Sequence, residues 1–188
     1  MTISEYQKEA KRTVGDLGSL KLNLAHMVMG ITSELEEIYR ASLKNDIVNL
    51  NEEIADVIWY LANYCTFRNF NFEEIIGNIM YKSIFDLDIL EFDKDDIIDN
   101  LPVLETSVSL LTDYVKKYVA YNKPFDVKKE KQAILGIVLA LTNLTLDFNF
   151  DTDLQKNIDK LKQRYPEKFT EERALNRDLE VERKILEK

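Results

Sequence analysis

Leu24, Val28, Ile31, Leu35 and Ile38 recur every three or four residues, which puts all five on one face of a helix and scatters them over both faces of a strand. This spacing predicts a helix over about 20–44. A polar joint, KNDIVNLNEE, leads into IADVIWYLANYC, which is apolar on nearly every side and is therefore expected to be a buried helix. FEEIIGNIMYKSIF reads as a third helix. After an acidic stretch around Asp93 to Asp96, LETSVSLLTDYVKKYV reads as another, and Pro124 with Asp126 marks a break before AILGIVLALTNLTL. DTDLQKNIDKLKQRY supplies a further helix. Pro166 ends it, and Thr170 is placed to cap one charged terminal helix, EERALNRDLEVERKILEK, which has little apolar face and is expected to clamp the surface. Only 5 Gly and 3 Pro are present, too few for the turns of a many-stranded sandwich or barrel. The expected fold is an all-α helical bundle.

The pattern contains a repeat. VIWYLANY is followed by Phe70-Asn71-Phe72 and then Asn78-Ile79; IVLALTNL is followed by Phe148-Asn149-Phe150 and then Asn157-Ile158, at an offset of about 78–79 residues. The whole of 1–188 is therefore expected to form one domain of two related helical units, 1–92 and 93–188, packed as a pseudo-dimer, with a terminal helix added.

Composition narrows the function. With 45% hydrophobic and 31% charged residues the chain can bury a core, and 34 Asp and Glu against 25 Lys and Arg give a formal charge of -9. That charge repels a nucleic-acid backbone, so no stable nucleic-acid binding is expected. No stretch reaches the roughly 18 apolar residues of a membrane span, and the N-terminus lacks an uninterrupted apolar region. Cys65 is the only cysteine and lies in an apolar run, where a buried thiol is ordinary. A reducing cytoplasm is the expected location.

The chemistry lies in four acids. Glu34 and Glu37 are three apart on the first long helix, and Glu53 and Asp56 are three apart on the next, so two antiparallel helices can point all four carboxylates into one space. Asp56 is embedded in Ile54, Ala55, Val57, Ile58, Trp59 and Tyr60, and neither it nor Glu53 has a Lys or Arg three or four positions away. Burying unpaired carboxylates is costly, so something outside the helix must compensate them, and a hard divalent cation with oxygen ligands suits the set. Solvated helix-surface acids are the plain alternative. Arg40 is positioned to pair with Glu37, and Glu52 reads as a solvated acid near a helix start.

GITSELEEIYRASLKND followed by NEEIADVIWYLANY resembles the ExxE…ExxD signature of the all-α nucleoside triphosphate pyrophosphohydrolases, the MazG-like family, and NIDKLKQRYPEKFTEERALNRDLEVERKIL resembles the end of small phage and bacterial members. The resemblance implies that Glu34, Glu37, Glu53 and Asp56 bind Mg²⁺, with Mn²⁺ as a substitute. It implies cleavage of a nucleoside triphosphate to the monophosphate and pyrophosphate, with Glu34 or Glu37 orienting or deprotonating the attacking water. Substrate contacts are expected from Trp59, Tyr60 and Asn63 near the base, and from Lys44, Asn78, Lys82, Asn157, Lys160 and Arg164. His26, one turn before the first motif, reads more readily as a packed or exposed helix residue than as a base.

In the second unit Ser107, Leu110, Ala133 and Gly136 stand where the acids would be, so no metal site can form there and a scaffold role is expected. The expected partner is a small nucleotide, with homodimerisation possible. The rival from another class is a silent helical nucleotide-binding or regulatory module derived from such an enzyme. A ferritin-like di-iron site is excluded, because it needs paired Glu-x-x-His ligands and the chain has one histidine.

Overall fold

The computed structural model describes residues 1–81, 97–144, 148–176 and 178–187, with the side chains of all of these except 78–81, 97–100 and 171. Among the described residues there is no strand, and the helices are α1 (Ile3–Arg12), α2 (Leu20–Lys44), α3 (Ile47–Phe67), α4 (Phe72–Tyr81), α5 (Ile97–Tyr121), α6 (Val127–Thr142), α7 (Phe150–Arg164), α8 (Glu171–Leu175) and α9 (Leu179–Leu186). The all-α expectation is met.

α3 sits at the centre because its sequence is apolar on every side except the stripe of Asn49, Glu52, Glu53 and Asp56. Leu50, Ile54, Val57, Ile58, Leu61, Ala62, Tyr64 and Cys65 are all buried, and the helix packs against α1, α2, α4, α6 and α7. The predicted α2 stripe faces it: Leu24, Val28, Ile31 and Ile38 are buried, and Leu35 is partly so. α2 and α3 form one antiparallel hairpin, α5 and α6 a second, and α2 lies along α5. None of these helices is long and apolar enough to cross a membrane among the described residues.

Local chemistry fixes the helix ends. Asn45 closes α2 in the left-handed conformation (φ 52°), and Asp46 immediately caps α3 by accepting from the Asn49 N–H. The joint is therefore two residues, not the ten of KNDIVNLNEE, and Glu52 and Glu53 lie inside α3 rather than near its start. The tripeptides mark corresponding corners. Asn71 Oδ1 accepts from the Glu74 N–H at the start of α4, and Asn149 Oδ1 accepts from the Asp151 and Thr152 N–H groups at the start of α7.

One element is additional to those expected and one expectation needs correction. The N-terminal segment forms α1, with Thr2 and Glu5 making a reciprocal capping box and Ile3, Tyr6 and Ala10 buried. The terminal helix is two helices: Thr170 caps α8 as expected, but the helix stops at Asn176, and Asp178 caps α9. The acidic stretch 93–96 lies outside the described residues.

Candidate functional site

One turn of α2 decides how close the two motif helices can come. A Cβ placed on Gly30 would lie 2.2 Å from the Tyr60 ring, so only glycine lets that ring lie on the α2 backbone, one turn from Glu34. Beyond that contact the hairpin opens into a cleft of about 670 Å³, a size suited to a small organic ligand. Its lining includes Glu34, Glu37, Glu52, Glu53, Asp56, Trp59 and Tyr60 from the hairpin, His26 and Thr13 beside them, and Leu161, Arg164, Tyr165, Phe169, Leu179, Glu182 and Arg183 from the opposite wall.

Carboxylate oxygens of Glu34, Glu37 and Glu53 all lie within 4.8 Å of one another. Among the described residues no basic side chain pairs with any of the three. Burial, the Asp56 charge and the Glu37 charge raise the Glu34 carboxyl to about 7, against which a hydrogen bond with Glu53 acts. Burial raises Glu53 further, to about 9, with Asp56, Glu52, Glu37 and Glu34 adding their repulsion. A set of buried hard oxygen donors that resists its own ionisation is the donor set a divalent cation fits, because the cation supplies the counter-charge that burial and mutual repulsion leave wanting.

Asp56 shares the cleft but is held differently. Lys160 Nζ donates to Asp56 Oδ1 at 2.9 Å and Oδ2 at 2.7 Å and to Glu52 Oε1 at 2.9 Å, while Asn157 Nδ2 donates to Asp56 Oδ1 at 2.5 Å. Tyr6 in turn donates to Asn157 Oδ1 at 2.9 Å. The compensation that the sequence lacks locally for Asp56 therefore comes from α7. Lys160 is fully buried; burial alone would lower its pKa, but the Asp56 and Glu52 carboxylates outweigh it and hold the ammonium above the usual lysine value. Glu52 is thus not a solvated acid: its side chain is 13% exposed and bound to Lys160. Arg40 pairs with Glu36 rather than Glu37.

The aromatic wall is continuous. Tyr60 meets Trp59 and His26 edge-on, with ring centroids 4.9 and 6.1 Å away. Trp59 Nε1 donates to Thr13 Oγ1 at 2.9 Å, which ties the wall to the end of α1. Burial lowers the pKa of His26, which keeps the imidazole neutral at pH 7, and its Nδ1 is buried without a partner.

Not every expected contact residue reaches the cleft. Lys44 is exposed at the end of α2 and Asn63 is buried in the core, its Nδ2 donating to the Trp59 carbonyl; neither lines the cleft. Lys160 approaches it through Asp56 and Glu52 and Asn157 through Asp56, and Arg164 lines it while bound to Glu182. Lys82 and the Asn78 side chain lie outside the described residues. The sequence reading missed Tyr6, Thr13 and Glu182. Only Tyr6 had a local signal, the capping box that announces its helix.

Of the second-hairpin residues expected at the acid positions, Ser107 and Gly136 face one another, a Cβ on Gly136 lying 3.0 Å from Ser107 Oγ; Ala133 is buried, and Leu110 is exposed.

An all-α hairpin that brings three glutamates together at a cleft, with an aspartate beside them, defines a class of site: an acid-lined helical cleft suited to a divalent cation. Residues 23–85, about a third of the chain and including all four motif acids, match the family model of the MazG nucleotide pyrophosphohydrolase domain, so the MazG-like resemblance of that segment is shown. No curated protein and no solved structure matches the chain.

Proposed function

We propose that the cleft hydrolyses nucleoside triphosphates to the monophosphate and pyrophosphate, with Mg²⁺, or Mn²⁺ in its place, as the cofactor. The observation that carries this is the group of three carboxylates of the MazG-matched segment, without a basic partner among the described residues, at a cleft of nucleotide size. Glu34, Glu37 and Glu53 would hold the ion, with Asp56 as a further ligand. The ion would neutralise the phosphates and polarise the phosphorus under attack.

This chain's residues supply the remainder. Lys160 and Asn157 keep the Asp56 carboxylate in one orientation, so a ligand atom is in place before substrate arrives. Glu34 or Glu37 orients the attacking water and takes its proton. Trp59 and Tyr60 offer aromatic surface to the base. The second hairpin serves as scaffold, braced on the first through α2 and α5.

The test is pyrophosphate release from a panel of ribo- and deoxyribonucleoside triphosphates with Mg²⁺, with EDTA, and with Asp56→Asn. Release that requires both the metal and Asp56 is the expected result. Silence across the panel from folded protein would overturn the reading and leave the silent binding module.

A further inference from the structure

The opposite wall of the cleft has its own electrostatic problem. Among the residues lining the cleft, Arg164 and Arg183 are the basic ones, and carboxylates hold both. Arg183 reaches Glu187 at 2.7 Å and Asp46 at 3.4 Å. Arg164 is bound more tightly. Its Nε and Nη2 donate to Glu182 Oε1 and Oε2 at 2.8 and 2.6 Å, a two-pronged fork whose side chains are 14% and 5% exposed. Lys160 is unavailable, being fully buried and committed to Asp56 and Glu52.

The fork geometry that fits a carboxylate is also the one that fits a phosphate. Glu182 therefore occupies a two-pronged anion seat in a cleft whose other charged lining residues, apart from Arg183, are carboxylates. The helix that carries it is lightly held. α9 has eight residues, buries only Glu182 and Leu186, packs chiefly on α7, and leaves Leu179 63% exposed. An element with so few apolar contacts opens locally at small cost.

We propose that Glu182 is a built-in occupant of the substrate's phosphate seat: a nucleoside polyphosphate binds by taking the Arg164 fork from Glu182, and α9 shifts off α7 as the exchange occurs. This rests on the nucleotide reading of the cleft for the identity of the ligand. It makes α9, which lies outside the matched segment, part of the substrate site. The internal carboxylate lowers apparent affinity for any polyanion, because only the fraction of molecules with Arg164 released is competent to bind.

Binding of inorganic tripolyphosphate in the presence of Mg²⁺, followed by calorimetry on the full chain, tests the exchange without requiring catalysis. Glu182→Gln is expected to tighten binding about tenfold by removing the competing charge. Arg164→Gln is expected to weaken it by about tenfold, and Glu182→Gln should bring no gain in that background. A folded Glu182→Gln protein that binds no more tightly than wild type overturns the proposal. Should that variant fail to fold, amide exchange of wild-type residues 181–186 decides: faster exchange with tripolyphosphate supports the shift of α9, and unchanged or slower exchange overturns it. Failure of pyrophosphate release would instead count against the nucleotide reading, so the two can fail separately.

Discussion

The two hairpins use similar helices for opposite ends. α2 and α5 are each 25 residues long, and each packs antiparallel on the helix that follows. Between α5 and α6, Ser107 meets Gly136, a serine against a glycine. Between α2 and α3, Gly30 meets the Tyr60 ring, and beside that contact Glu34, Glu37 and Glu53 gather at the cleft. The first hairpin thus keeps a carboxyl cluster without a basic partner among the described residues, while the positions expected to match in the second hold Ser107, Leu110, Ala133 and Gly136. Retaining such a cluster costs stability and makes sense where a ligand repairs it, a trade-off expected at functional sites.

The sharpest way to break this contrast is to make the first hairpin more like the second. Glu53→Gln should lower pyrophosphate release by about 100-fold or more, since a metal ligand and its charge are lost together. The same variant should melt no lower than wild type in EDTA, and it should lose the Mg²⁺-dependent rise in melting temperature. Next in size is Lys160→Met, which leaves Asp56 and Glu52 buried without their shared cation; a destabilisation of about 3–5 kcal/mol in urea unfolding is expected. Gly30→Ala drives a methyl into the Tyr60 ring and should cost about 1–3 kcal/mol, against a small effect for Gly136→Ala, where a serine hydroxyl can rotate away.

The pH dependence distinguishes the hairpins without mutation. Glu34 and Glu53 hold their protons in the folded protein after an unfolded chain has lost them. Their contribution is therefore fully present below about pH 4.5 and declines as pH rises toward about 7 for Glu34 and about 9 for Glu53. Metal-free protein should lose stability across that window in denaturant titrations. Mg²⁺ should cancel the slope, with protons released on binding. A flat profile in EDTA would mean that the cluster is solvated.

Much of this was legible in the chain because helical hairpins are local. The stripe from Leu24 to Ile38 gave α2, the apolar run around Trp59 gave a buried α3, and the i, i+3 spacings put Glu34, Glu37 and Glu53 in reach of one another. α1 was missed because Ile3, Tyr6 and Ala10 make a sparse stripe in a polar segment, although its Thr2 and Glu5 box was in plain view. The Lys160 bond to Asp56 joins residues 104 positions apart, and the Arg164 pair with Glu182 depends on how α9 folds back on α7. No periodicity encodes contacts of that kind. They are set by tertiary packing, which is why the charges around the site were less readable than the site itself.

The bonds from Tyr6 through Asn157 to Asp56 bear on how such a unit can be moved between proteins. The stretch that carries the recognisable motif, 23–85, excludes Tyr6, Asn157 and Lys160, the residues that orient and neutralise its aspartate. Transplanted alone, that stretch would take the acids and leave behind what makes one of them tolerable. The part of the chain needed to hold Asp56 as it stands is therefore larger than the signature, drawing on α1 and α7 as well as α3.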